Sequence, residues 1–201
     1  MKITKYNKRE KNLIIKRLDK WFDAATEEEV KTGFYWYEDF HLKMLDIQVE
    51  VKRGDFIPSL FQVSAVFAAL SPNNKVDRNL MDAETVLRAV RDGLQPEDVK
   101  VCTYNANKFK AFLFARNSAE INRSLSKSPK VKAFVENVGN LNSDFVTIDI
   151  WICRAIGIKP SYLTAKRYQF IQLAMMERAK ELGMFGYQYQ AIIWESIRNN
   201  Y

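Results

Sequence analysis

In the run "VTIDIWICRAIG", residues 146–157, one carboxylate, Asp149, stands between Ile148 and Ile150 in an otherwise apolar stretch. A carboxylate is costly to desolvate, so an acid kept among such neighbours has work that oily packing alone does not explain. One role is local. Directly before a short helix, the side chain can accept hydrogen bonds from the first-turn amides, worth about 1 kcal/mol. The same position keeps the group ionised and fixed in direction. A carboxylate so held is suited to stabilising a developing positive charge or to orienting and deprotonating water. Both roles are open to Asp149.

Other residues offer binding rather than bond-breaking chemistry. In "SPNN", Asn73 and Asn74 carry donors and acceptors that either brace a turn or read the edge of a polar ligand. Tyr35, Trp36 and Tyr37, with Tyr187, Tyr189 and Trp194, either fill a core or stack on flat ligands. Three adjacent aromatics cannot all face inward from one helix, which singles out Trp36 and Tyr37. Lys127, Lys130 and Lys132 form a basic group that is either a solvated helix face or a phosphate contact. Lys130 sits in a first turn, where the helix dipole disfavours a cation unless an anion is near. Cys102 and Cys153 lie far apart and His41 is the lone histidine, so the expectation is reduced structural thiols, no metal and no cofactor.

The elements that must hold these residues read as helices, because the apolar spacing is helical almost everywhere and no segment alternates at the strand period. Leu13, Arg17, Leu18, Trp21, Phe22 and Ala25 fall on adjacent turns of a first helix, which Gly33 punctuates before a second, "FYWYEDFHLKMLDIQVE". Pro58 opens a third, "SLFQVSAVFAAL", apolar nearly all round as a central buried helix is, and Ser71-Pro72 stops it. A polar amphipathic helix follows and closes on Gly93. Asn105 is placed to cap the next and Ser118 a short successor; Ser128-Pro129 opens "KVKAFVENV". "NLNSDFVT" is a loop delivering the chain to Asp149, Ile150 to Ile156 form a short apolar helix ended by Gly157, and two longer helices complete an all-α chain.

With 201 residues, 47% hydrophobic and 27% charged, the chain has material for one domain or two small lobes sharing a cleft, and too much apolar surface for disorder. The net charge of +7 favours polyanionic partners modestly, and the cations lie in small groups rather than a basic tail, so such a partner would meet a folded surface. The first residues, "MKITKYNKREKNLIIKRL", lack the apolar centre of a signal peptide, and no run approaches membrane-spanning length; no membrane partner and a cytoplasmic location are expected.

Four segments, in order, resemble the helix-hairpin-helix (HhH-GPD) DNA glycosylases, the endonuclease-III-like enzymes, from about Leu60 to Gly157. "LFQVSAVFAALSPNNKVDRNLMDAETVL" is similar to the family's buried helix, polar turn and following helix. "VCTYNANKFKAFLFAR" resembles the segment where a Tyr-Asn pair precedes a lysine-containing helix. "LSKSPKVKAFVENV" stands where the family carries its hairpin, and "VTIDIWICRAIG" resembles its VDTHVxRVxxRLG segment. The resemblance implies two interleaved helical lobes, one of about residues 60–140 and one of 1–59 with 141–201, around a cleft. It implies that Asp149 is the catalytic aspartate, and that Lys130 stands near the lysine that forms a Schiff base in bifunctional members. Ser71, Asn73, Asn74, Tyr104 and Asn105, with Trp36 and Tyr37, would then receive a base turned out of its stack. Lys108, Lys127, Lys132 and Arg154 would contact the nucleic acid. The implied reaction is N-glycosidic cleavage of a damaged or modified base in DNA. Ser126-Lys127-Ser128-Pro129 lacks the glycines that bring the family's hairpin amides to a duplex phosphate, which directs the expectation to single-stranded or modified DNA. Ile150-Trp151 replaces the family's Thr-His. "ALSPNN" and "VTID" also look like phage-encoded relatives, which implies a DNA base-modification enzyme or a non-catalytic nucleic-acid-binding module as alternatives.

Overall fold

The computed structural model describes residues 8–72 and 74–200, and among them helices are the regular elements, with one isolated bridge, Arg53 to Phe56, and no strand. Ten α-helices follow in order: α1 Lys8–Asp23, α2 Glu27–Val51, α3 Leu60–Leu70, α4 Val76–Arg91, α5 Asn105–Arg116, α6 Ser118–Leu125, α7 Pro129–Gly139, α8 Ile150–Ala155, α9 Ala165–Glu181 and α10 Gly186–Asn199. None of the described helices is long and apolar enough to cross a membrane.

The chain divides into two compact units, one of residues 39–141 and one of 1–38 with 142–201. Rather than near residue 59, the first division falls at residues 38–39, inside α2. Its start is a capping box: Thr26 Oγ1 accepts from the Glu29 amide at 3.2 Å while Glu29 Oε2 accepts from the Thr26 amide at 2.9 Å. Gly33, expected to end a helix, lies within this one. A side chain there is excluded by a neighbour, since a Cβ would stand 2.5 Å from the Ile192 backbone of α10. The glycine lets two helices approach closely and does not break either.

In the 39–141 unit, α3 is the centre. Val63 to Leu70 are all buried, and α3 packs on α4, α5, α6 and α7. The helix starts at Leu60, two residues later than Pro58 suggests, because Ser59 and Gln62 form a capping box. Two other caps also sit one residue from expectation: Tyr104 precedes α5, and Asn117, whose side chain accepts from the Ala119 amide at 3.0 Å, caps α6 in place of Ser118. Three residues, 126–128, join α6 to α7.

The other unit gathers α1, α8, α9 and α10 around Ile14, Leu18, Val146, Ile148, Ile152, Ile171, Met175, Tyr189 and Ile193. Four residues of α8 and the turn after it, Ile152, Cys153, Ala155 and Ile156, are buried there, so this short helix is held by tertiary packing rather than by its own length.

Candidate functional site

Residues 142–149 are extended and irregular, and hydrogen bonds to the rest of their own unit tie them down in succession. Asp144 Oδ1 accepts from the Gly186 amide at 2.6 Å, at the start of α10. The Val146 carbonyl accepts from the Tyr168 hydroxyl at 2.7 Å, and the same oxygen of Tyr168 accepts from the Ile148 amide at 3.1 Å. Thr147 Oγ1 lies 3.0 Å from the Tyr37 hydroxyl, which also reaches Gln190 Oε1 at 3.0 Å. Burial pushes the Tyr168 phenol well above its usual range, so it stays protonated and keeps donating.

Asp149 ends this run as the N-cap of α8. Its Oδ1 accepts from the Trp151 amide at 2.9 Å and the Ile152 amide at 3.0 Å, and its Oδ2 accepts from Trp194 Nε1 at 3.1 Å. The carboxylate is half-buried, and two amides and an indole fix both oxygens in direction. The far end of α8 is fixed as well. Arg17 of α1 donates to the Ile156 carbonyl, and a Cβ on Gly157, whose φ is +70°, would lie 3.1 Å from that guanidinium. The helix carrying the acid is therefore held at both ends.

Aromatic and cationic groups adjoin the acid. The Arg154 guanidinium lies 4.4 Å from the Trp151 ring centre, and that of Arg198 lies 4.7 Å from the Trp194 ring centre. Trp36 meets Trp194 edge-on at 6.0 Å. Glu195, half-buried, is pushed above the usual carboxylate range by burial, against the pull of Arg198, and Glu29 raises it further. Glu29 itself is held below the usual range, chiefly by the Thr26 amide.

A second polar cluster lies in the 39–141 unit, where α3 ends. Ser71 Oγ donates to the Phe67 carbonyl at 2.8 Å and accepts from Asn79 Nδ2 at 2.9 Å. Asp82, 1% exposed, accepts from Arg78 Nε at 2.9 Å, Asn74 Nδ2 at 2.9 Å and the Cys102 amide at 2.8 Å. The carboxamide oxygens of Asn74 and Asn79 are buried and accept no hydrogen bond among the described residues.

The expected site residues thus fall into two sets. Asp149, Arg154 and Trp36 belong to one linked neighbourhood, while Ser71 and Asn74 belong to the other. Tyr37, taken as a stacking candidate, is 2% exposed and bonded through its hydroxyl; Tyr35, at 47%, is the aromatic of that trio most open to solvent. Tyr104 and Asn105 are exposed at the start of α5, and Lys108 Nζ donates to the Val99 carbonyl at 3.1 Å. Lys127, Lys130 and Lys132 are exposed in and after the α6–α7 turn. Asn73 lies outside the described residues. Cys153 is buried, whereas Cys102 is exposed and contributes its amide to Asp82, which departs from its reading as a structural thiol. Sequence reasoning missed Arg17, Asp82, Tyr168 and Arg198. A signal existed for two of them: Arg17 shares the apolar spacing of α1, and Arg198 stands four residues after Trp194, the helical neighbour distance.

Neither a curated protein nor a solved structure matches the chain. Its whole length, residues 1–201, matches DUF7178, a family of unknown function, and the chain belongs to that family.

Proposed function

We propose that the chain is a DNA glycosylase-like enzyme of the helix-hairpin-helix kind, cleaving the N-glycosidic bond of a damaged or modified nucleotide with Asp149 as its carboxylate. The observation that carries this reading is the placement of Asp149. The acid is half-buried, caps the N-terminus of α8 and has both oxygens fixed by hydrogen bonds, which supports the reading. When the bond between the sugar C1′ and the base nitrogen breaks, the electron pair leaves with the base and positive charge spreads over C1′ and the ring oxygen. A carboxylate fixed in direction stabilises that charge and orients water toward C1′; water supplies the new C1′–OH bond and the proton the departing base takes up.

Lys130 is exposed, which favours direct hydrolysis over a covalent amine route, since burial is one of the means by which an amine becomes nucleophilic at neutral pH. The competing reading is a binding module without catalysis, motivated by the three donors that already engage Asp149.

The test is base release, followed by mass spectrometry, from oligonucleotides carrying deaminated, alkylated, oxidised and bulky modified bases. Asparagine is also a good N-cap, so Asp149→Asn is expected to keep the helical circular dichroism while release falls by roughly 100-fold or more. No release by the wild type across the whole panel overturns the enzymatic reading in favour of the binding module. Borohydride trapping of a protein–DNA adduct would restore the role of Lys130.

A further inference from the structure

The chain has four tryptophans, and three of them, Trp36, Trp151 and Trp194, belong to the set linked through Asp149. Their rings are half-buried, while the guanidiniums over Trp151 and Trp194 are exposed. The Trp194 ring cannot turn freely. Its indole N–H is bonded to Asp149, and the edge of Trp36 stands against it.

This pattern discriminates between ligand classes. A cage for an ammonium group leaves its ring faces open to the cation, but here guanidiniums lie over two of the faces and repel one. An anion without a flat face has no use for the indoles, and an uncharged sugar has none for the arginines. A nucleotide brings both a phosphate and a π-face, and bases stack on guanidinium planes as they do on aromatic rings. The base must be unpaired, because in a duplex its faces are already covered by neighbours. The α6–α7 turn points the same way. The amides of Ser126, Lys127 and Ser128 donate to the carbonyls of Asn122, Ser124 and Leu125, so the end of α6 already takes up these amides.

We propose that Trp151 with Arg154, and Trp194 with Arg198, form a clasp for neighbouring nucleotides of a single nucleic-acid strand. The bases stack on the guanidinium–indole layers and the phosphates meet the outer edges of the arginines. The proposal rests on the nucleic-acid part of the reading above and not on catalysis. Glu195 lies near Arg198 and Asp149 near both pairs, so the local charge is close to balanced. Binding by this clasp therefore depends more on stacking than on counterion release, and its salt dependence is shallow, with a slope of about −1.4 for two phosphate contacts to a single strand.

The test is anisotropy of a labelled ten-nucleotide thymidine strand titrated with the full-length protein over a range of salt. The same sequence as a duplex, and heparin as a polyanion without bases, compete. The strand is expected to bind more tightly than the duplex and to resist heparin. Arg154→Ala and Arg198→Ala are each expected to weaken it roughly tenfold, while Lys16→Ala, an exposed cation of α1 in the same unit, leaves it unchanged. The clasp is overturned if no nucleic acid binds, if duplex or heparin competes as well as the strand, or if Lys16→Ala weakens binding as much as the arginine variants do. Strand binding lost in the arginine variants without base release supports the clasp and removes the glycosylase. Base release with arginine variants that bind normally does the reverse.

Discussion

Asp149 and Asp82 are both aspartates that accept three hydrogen bonds, yet they belong to different kinds of place. Asp82 is 1% exposed, and its donors are a guanidinium, a carboxamide and a backbone amide drawn from the end of α3, the start of α4 and the approach to α5. It joins three segments and meets no solvent. Asp149 is half-buried, and its donors are two amides of its own helix and one indole whose face lies under an exposed arginine. The number of hydrogen bonds does not separate the two acids. The exposure of the group and the nature of the neighbours beyond its donors do.

Stability should separate the two most sharply. Asp82→Ala leaves the Asn74 carboxamide and the Cys102 amide without their acceptor, while the half-exposed Arg78 can turn to water, and is expected to lower the unfolding free energy by about 2–3 kcal/mol. Asp149→Ala loses a helix cap and one indole bond, about 1–2 kcal/mol. Urea unfolding of both variants measures the difference, and equal losses would erase the distinction. Tyr168→Phe comes next, because it leaves the Val146 carbonyl and the Ile148 amide without their hydroxyl partner, about 1–3 kcal/mol. If the tied run exists to aim Asp149, this variant should also lower kcat for base release while KM changes little; a stability loss with kcat intact would make Tyr168 a packing residue only.

The smallest expected effect concerns the carboxyls beside the Trp194 group, and its sign follows from their opposite shifts. Glu195 titrates higher in the folded chain than its ordinary value, so its ionised form opposes folding at neutral pH. Glu195→Gln should raise Tm slightly at about pH 7, with the advantage vanishing toward about pH 4, where both states are protonated. Glu29 titrates lower, so its contribution to stability is present at neutral pH and fades as the pH falls through its folded value. Tm measured across this range for Glu195→Gln and Glu29→Gln should show the two curves departing from the wild type in opposite directions.

The helices themselves were largely legible. Apolar spacing marks α3, α4, α9 and α10, and Pro129 and Gly157 stand at ends the structure keeps. Gly33 misled because a lone glycine in a helical pattern reads as a stop, when here it answers Ile192, 159 residues away in the chain, a demand no local window carries. The caps slipped by one residue because Ser, Asn and Tyr at adjacent positions compete, and tertiary fit decides between them. At the candidate site, the acid was conspicuous by its apolar neighbours, and its cap was foreseen. Its distant partners were not: Tyr168 looks like one more buried aromatic until its hydroxyl is seen to bridge the backbone on either side of Thr147. The Asp82 cluster was hidden for a related reason, since Asp82 lies on a polar amphipathic helix where an acid looks like solvent-facing charge.

The unit that holds Asp149 is assembled from both ends of the sequence, with residues 39–141 inserted between its parts. On a ribosome the inserted stretch leaves the exit tunnel as one uninterrupted piece and can close on itself while α1 still waits for α8 to α10. Asp149 then emerges forty-five residues before Trp194, the side chain that orients its second oxygen. The hydrogen bond that orients this oxygen is therefore withheld from the nascent chain until α10 has been made.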